Sequence, residues 1–115
     1  MSVATNGAIA KEIRLEEVLE AVQRKFNLIY PLRVEFFTAQ YATVTFKVKE
    51  EYRTLAIHLN YFEPELKKTI TLLDFSKWLN SEELMESIVE EFGGLLLADD
   101  RTTDWRTVLK KQETV

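Results

Sequence analysis

The sequence predicts an α+β domain, in which an antiparallel sheet of three to five strands carries helices on one face. The expected order of elements is α-β-β-β-β-α-(β)-α. Between residues 42 and 61 apolar and polar side chains alternate, which places the apolar ones on one side of pleated strands. On either side of this stretch the apolar residues recur at the helical period. Helices segregated on one face of an antiparallel sheet define the α+β class.

Length and composition indicate one domain. The chain has 115 residues, of which 46% are hydrophobic and 30% charged, as is normal for a globular protein. The first eight residues are small and polar, so we assign 1–8 to a disordered N-terminal end and 9–112 to the domain.

A first helix is predicted from about Ile9 to Asn27. We expect it to end there because Pro31 lacks an amide hydrogen and restricts the residue before it. The helix has an apolar stripe at positions i, i+3, i+4, i+7 and i+11, formed by Leu15, Val18, Leu19, Val22 and Phe26.

Four strands are predicted next. The middle two form a hairpin joined by Glu50, Glu51 and Tyr52, with one apolar and one polar face. Phe37 breaks the alternation of the first strand, and Pro64 marks a turn before the fourth. The four strands are expected at residues 32–37, 42–48, 54–61 and 69–73.

The second half of the chain predicts two more helices. Asp74 is placed as the cap of a short helical turn, and Asn80 as the cap of a helix that ends at Gly93-Gly94. The Leu95–Leu97 run is either a buried edge strand or a loop that crosses the core. A terminal helix capped by Thr102 or Thr103 carries three apolar residues at helical spacing, Trp105, Val108 and Leu109.

The first five predicted elements resemble, in their order, the helix, three strands and helix of double-stranded RNA-binding domains. The resemblance is of topology only. Such domains contact RNA phosphates with basic residues, whereas the second helix here carries five glutamates and no lysine. We therefore do not carry RNA binding over to this chain.

The negative charge is concentrated in one segment. The formal net charge is −4, and residues 74–100 contain eight acidic residues and one basic residue. One interpretation is a solvated helix face. The other is a surface that attracts a basic protein, as in an inhibitor, an immunity protein, a nucleic-acid mimic or an accessory protein. Phage and mobile-element proteins often have this size, so such an origin is part of the same interpretation. The expected partner-binding residues are Glu82, Glu83, Glu86, Glu90, Glu91, Trp78 and Trp105.

Self-association is a further expectation, through an edge strand or through the Leu95–Leu97 run. Nucleic-acid binding is the alternative function. The polar sheet face would present Lys47, Lys49 and several threonines, but the alternation places no aromatic pairs there for bases to stack on. The sequence therefore argues against nucleic acid as the partner.

An enzyme is the weakest alternative. The single histidine, His58, falls on the polar sheet face without a recognisable nucleophile. Asp99, Asp100 and Asp104 lack the spacing and the glycine of a calcium loop, and they suit helix capping better. We expect no catalysis, no cofactor and no metal site. The chain has no cysteine and no long apolar run, which favours a cytoplasmic protein that does not contact membranes.

Overall fold

The computed structural model describes residues 4–76 and 81–97. In these ranges six strands and two helices follow in the order β-α-β-β-β-β-α-β. The elements are β1 (Ala4–Ile9), α1 (Leu15–Lys25), β2 (Arg33–Phe37), β3 (Tyr41–Val48), β4 (Glu51–Glu63), β5 (Lys68–Ser76), α2 (Ser81–Glu91) and β6 (Leu95–Leu97). The α+β class is confirmed, with one strand more than the largest number expected.

All six strands form one antiparallel sheet in the order β2-β3-β4-β5-β1-β6. Both helices pack on one side of it, which we call the inner face. The opposite side, called the outer face, carries the alternate residues of each strand, among them Thr43, Thr45 and His58. Helix α2 packs against β1 and β6, so it lies at the end of the sheet remote from β2.

The prediction of a disordered end over residues 1–8 is wrong for residues 4–8, and residues 1–3 lie outside the described part of the chain. Ala4–Ile9 is a strand inside the sheet, paired with β5 on one side and β6 on the other. Its short side chains gave no alternating apolar signal. Ile9, assigned by the sequence to the start of a helix, is a fully buried strand residue, and α1 begins at Leu15.

The central hairpin has the predicted faces. Phe46 and Ile57 are buried on the inner face, where the Phe46 ring meets that of Phe26 with centroids 5.3 Å apart. The turn is shorter than expected, because β4 already begins at Glu51. Lys49 and Glu50 form a two-residue loop with φ of 48° and 68°, the backbone signs of a type I′ turn.

The far ends of β4 and β5 depart from the expected pattern. A bulge between His58 and Tyr61 shifts the register, so Tyr61 leaves the inner face on which simple alternation had placed it. Strand β5 extends to Ser76, and the short helical turn predicted at Asp74 is wrong. Thr71, one of the threonines expected on the polar face, is buried. Its hydroxyl accepts a hydrogen bond from the backbone N–H of Ile13 and donates one to the backbone carbonyl of Lys11.

Both helices end in the same way. In α2 the Gly94 amide donates to Val89 O over 2.7 Å and Gly93 has φ of 72°, which is a Schellman arrangement at the pair of glycines where the helix was predicted to end. In α1 the residue after the cap is Asn27, with φ of 51°. The chain then leaves α2 directly into β6, so Leu95–Leu97 is an edge strand rather than a loop.

Candidate partner-binding surface

The five predicted glutamates of α2 share one exposed surface, which we call the acidic face. The opposite side of the helix holds it to the sheet through Met85, Ile88 and Val89, all fully buried. No basic residue occurs in α2. The acidic face therefore consists of four exposed glutamates and one, Glu91, whose side chain is 26% exposed; the set is Glu82, Glu83, Glu86, Glu90 and Glu91.

The close approach of α2 to the sheet depends on two glycines. A Cβ atom built at Gly7 would lie 2.6 Å from Val89 Cγ1, and one built at Gly94 would lie 2.5 Å from Ala8 O. At the start of the helix, the Ser81 and Thr5 hydroxyls form a buried hydrogen bond of 2.8 Å. These contacts fix the position of the acidic face against the sheet.

A single ion pair connects the acidic face with the other helix among the described residues. Arg24 Nη1 of α1 lies 2.5 Å from Glu91 Oε1, and the hydrogen bond to Glu91 raises the pKa of Arg24. Helix α1 adds further exposed carboxylates at Glu16 and Glu20. The helical layer is thus predominantly negative on its solvent side.

The remaining predicted site residues cannot be placed on this surface. Trp78 and Trp105 lie outside the described residues, as do the Asn80 cap, the terminal helix and the carboxylates Asp99, Asp100 and Asp104. Within residues 4–76 and 81–97 no three His, Asp or Glu side chains are grouped so as to hold a metal ion.

The outer face corrects the expectation that it lacks aromatic pairs. The rings of Phe36 in β2, Tyr41 in β3 and His58 in β4 contact each other in a row across three strands, with centroids 6.2 Å and 5.0 Å apart and the planes tilted by 54° and 56°. Tyr41 is two residues before Thr43 on the same strand, so the alternation in the sequence already places it on the outer face beside His58. Phe36 was not predictable, because a bulge between Val34 and Phe36 turns it to the outer side.

A second aromatic group surrounds one cation. Lys47 Nζ lies 5.0 Å from the centroid of the Tyr30 ring and 5.6 Å from that of Tyr52. The same ammonium group is 3.4 Å from Glu50, whose hydrogen bond raises the pKa of Lys47. Lys47 and Tyr41 are six residues apart on β3, so the two groups are separated by about 20 Å along the strand.

Asp74 lies on the outer face between Ala56 of β4 and Asn6 of β1. Partial burial raises the pKa of this carboxyl group, and the nearby positive charge of His58 opposes that effect. The folded chain therefore holds this proton more tightly than the unfolded chain. Stability contributed by the group is lost as pH rises from about 3.9, the usual aspartate value, through the raised folded pKa.

Replacement of Asp74 by Asn tests the direction in which this carboxyl group changes stability with pH. We expect D74N to be more stable than the wild type at pH 7, with the difference disappearing below about pH 4, where both states are protonated. Urea unfolding from acid to neutral pH measures this, with E65Q on an exposed turn as the control. A variant that becomes progressively less stable than the wild type as pH rises would mean that the Asp74 carboxylate makes a favourable contact.

The chain matches no family model. No curated protein and no solved structure matches it either. In the part of the chain that the structure describes, neither helix has the length and hydropathy needed to cross a membrane.

Proposed function

We propose that this protein is a small acidic interaction module, without catalytic activity, that binds a basic surface of a partner protein through the acidic face. An inhibitor, an immunity protein, a nucleic-acid mimic or an accessory protein would all use such a surface. The observation that carries the proposal is that all five glutamates lie on the solvent side of one helix whose other side is buried against the sheet. A cytoplasmic location belongs to the same proposal.

The physical basis is a local negative field. Charges of one sign on one surface attract a complementary surface and raise the rate of encounter, and they exclude partners of the same sign. Because α2 itself contributes no cation, its own charges do not cancel. The Arg24–Glu91 pair lies at the C-terminal end of the helix, and Glu83 and Glu86 lie in the first two turns, away from that cation.

Comparative capture from the native host tests the proposal. A variant with Glu83, Glu86 and Glu90 replaced by Gln removes three negative charges from the acidic face. The control variant removes two charges elsewhere, at Glu12 and Glu65, both exposed. We expect a partner that is retained by the wild type and the control and lost by the first variant. An identical set of captured proteins for all three would contradict binding through the acidic face.

The second candidate function is binding of single-stranded nucleic acid on the outer face. The observation that favours it is the pair of aromatic groups, Phe36–Tyr41–His58 and Tyr30–Lys47–Tyr52, since single strands bind by stacking bases on aromatic rings beside basic residues. It ranks second because two basic side chains on this face, Lys47 and Arg33, each pair with a glutamate.

Fluorescence anisotropy with labelled single strands separates the two candidates. The leading proposal predicts no binding at micromolar protein in physiological salt, where even basic proteins bind non-specifically only at about 10⁻⁴–10⁻⁶ M. Binding that persists in that salt and is lost in the K47E variant would instead favour the outer face. Tyr41→Ala would then weaken binding by about 1–3 kcal/mol if a base stacks on its ring.

A further inference from the structure

Strand β2 is the least covered element of the described fold. Each of its five residues is exposed, whereas β3 and the central part of β4 alternate between partly exposed and buried positions. Among the strands of residues 4–76 and 81–97 it forms one edge of the sheet, so within these ranges one side of its backbone has no strand partner. On the inner side, Val34 and Phe37 pair with Val44 and Ala42 but remain 44% and 59% exposed, which means that the helical layer stops short of them.

Exposed apolar side chains are concentrated at this strand. The described residues contain eight large hydrophobic side chains that are exposed, and five of them fall within nine residues, 29–37. Val34 and Phe37 lie on the inner side of the strand and Phe36 on the outer side, so exposed apolar side chains flank the edge on both faces of the sheet. Clustered exposed apolar side chains mark an interaction site more often than do scattered single residues. The five are Ile29, Tyr30, Val34, Phe36 and Phe37.

We infer that β2 is the interface through which two copies of this chain associate, with their β2 strands antiparallel around a two-fold axis. A free strand edge pairs readily with another strand unless charges, proline or a covering element prevent it. In β2 the only charged residues are Arg33 and Glu35, and they have opposite signs. A two-fold interface needs a surface that complements itself, which this pair supplies.

The charges also select the register. Pairing centred on Val34 places Arg33 of each copy opposite Glu35 of the other, and the two Val34 side chains meet at the axis. Pairing centred on Glu35 would instead place two carboxylates opposite each other, which is unfavourable. Within one chain Arg33 Nε lies 3.4 Å from Glu35 Oε1, and both side chains are largely exposed, so exchanging this pair between copies costs little. The bulge next to Glu35 keeps the paired stretch short, and the flanking aromatic side chains supply the rest of the contact.

This association is independent of the proposed function. Because α2 packs over β1 and β6, the dimer would carry its two acidic faces at opposite ends of a continuous sheet of twelve strands. Failure of the dimer would leave the binding of a basic partner to each monomer unaffected. Loss of partner binding would likewise leave the mass of the dimer unchanged.

Sedimentation or light scattering over a wide concentration series tests the inference. We expect the wild type to reach twice the 13.5 kDa chain mass, and V34K to remain at 13.5 kDa with an unchanged circular dichroism spectrum. The matched control F62K places the same charge at an exposed aromatic position outside β2, and it should still dimerise. A wild type that stays monomeric at the highest concentration overturns the proposal, as does a dimer that F62K disrupts and V34K leaves intact.

A single introduced cysteine tests the register in the same full chain, which has no cysteine of its own. Across the proposed axis the two Val34 Cα atoms would be about 4.5–5.5 Å apart, within the range that a disulfide spans. We therefore expect V34C to form a covalent dimer on mild oxidation and Y52C, at an exposed position outside β2, to remain monomeric. Equal cross-linking of both variants would reflect random collision and would contradict the proposed pairing.

Discussion

Truncation of Phe46 to Ala is expected to lower the free energy of unfolding by about 3–5 kcal/mol, and truncation of Ile57 to Ala by about 2–5 kcal/mol. Both side chains are buried between the sheet and the helices, and the Phe46 ring contacts the rings of Phe26 and Phe75. Thr45 precedes Phe46 in the sequence but lies on the outer face, so it is the matched control. Urea denaturation should show a much smaller loss for T45A. Similar small losses for all three variants would mean that the two faces of the sheet are exchanged.

Substitution of Gly7 by Ala is expected to destabilise the fold by about 1–3 kcal/mol, the usual cost of overpacking a core. The added methyl group would overlap Val89 Cγ1 and Met85 Sδ, which lie 2.6 and 2.8 Å from the ideal Cβ position. A second substitution, Val89→Ala, removes the nearer of these atoms. The loss measured for the double variant should therefore be smaller than the sum of the two single losses.

Strict additivity of the Gly7 and Val89 substitutions would contradict the close crossing of β1 and α2. Gly93→Ala serves as a comparison in the same region. Its Cβ would meet no atom within 4 Å, so any loss there would come from the positive φ of 72° and not from packing. Val89→Ala should not rescue that variant, because the two effects have different origins.

The sequence predicted the parts of the fold that repeat a simple period. Alternation over β3 and the central part of β4 placed Val44, Phe46, Leu55 and Ile57 in the core, and the helical period placed Val18 and Val22 there. The exposed glutamates of α2 followed from the same reasoning, since the opposite stripe of that helix is apolar.

The parts that were missed depend on contacts between distant segments. Gly7 made the first residues resemble a loose end, yet its lack of a side chain is what allows α2 to cross β1. The bulges in β2 and β4 reversed the side chains beyond them, so Phe36 and Tyr61 could not be placed by alternation. Neither a close crossing nor a bulge has a periodic signal in the sequence, because each is set by packing partners far along the chain.

The acidic face is the central element of the proposed function, and the association rate with the captured partner tests it most directly. Surface charge acts chiefly on the rate of encounter, and salt screens that effect over about 10 Å at 0.1 M. We predict that replacing Glu83, Glu86 and Glu90 with Gln slows association and flattens its dependence on salt. The control with Glu12 and Glu65 replaced should keep both properties. Association rates and salt slopes that are the same for the wild type and for both variants would contradict binding through the acidic face.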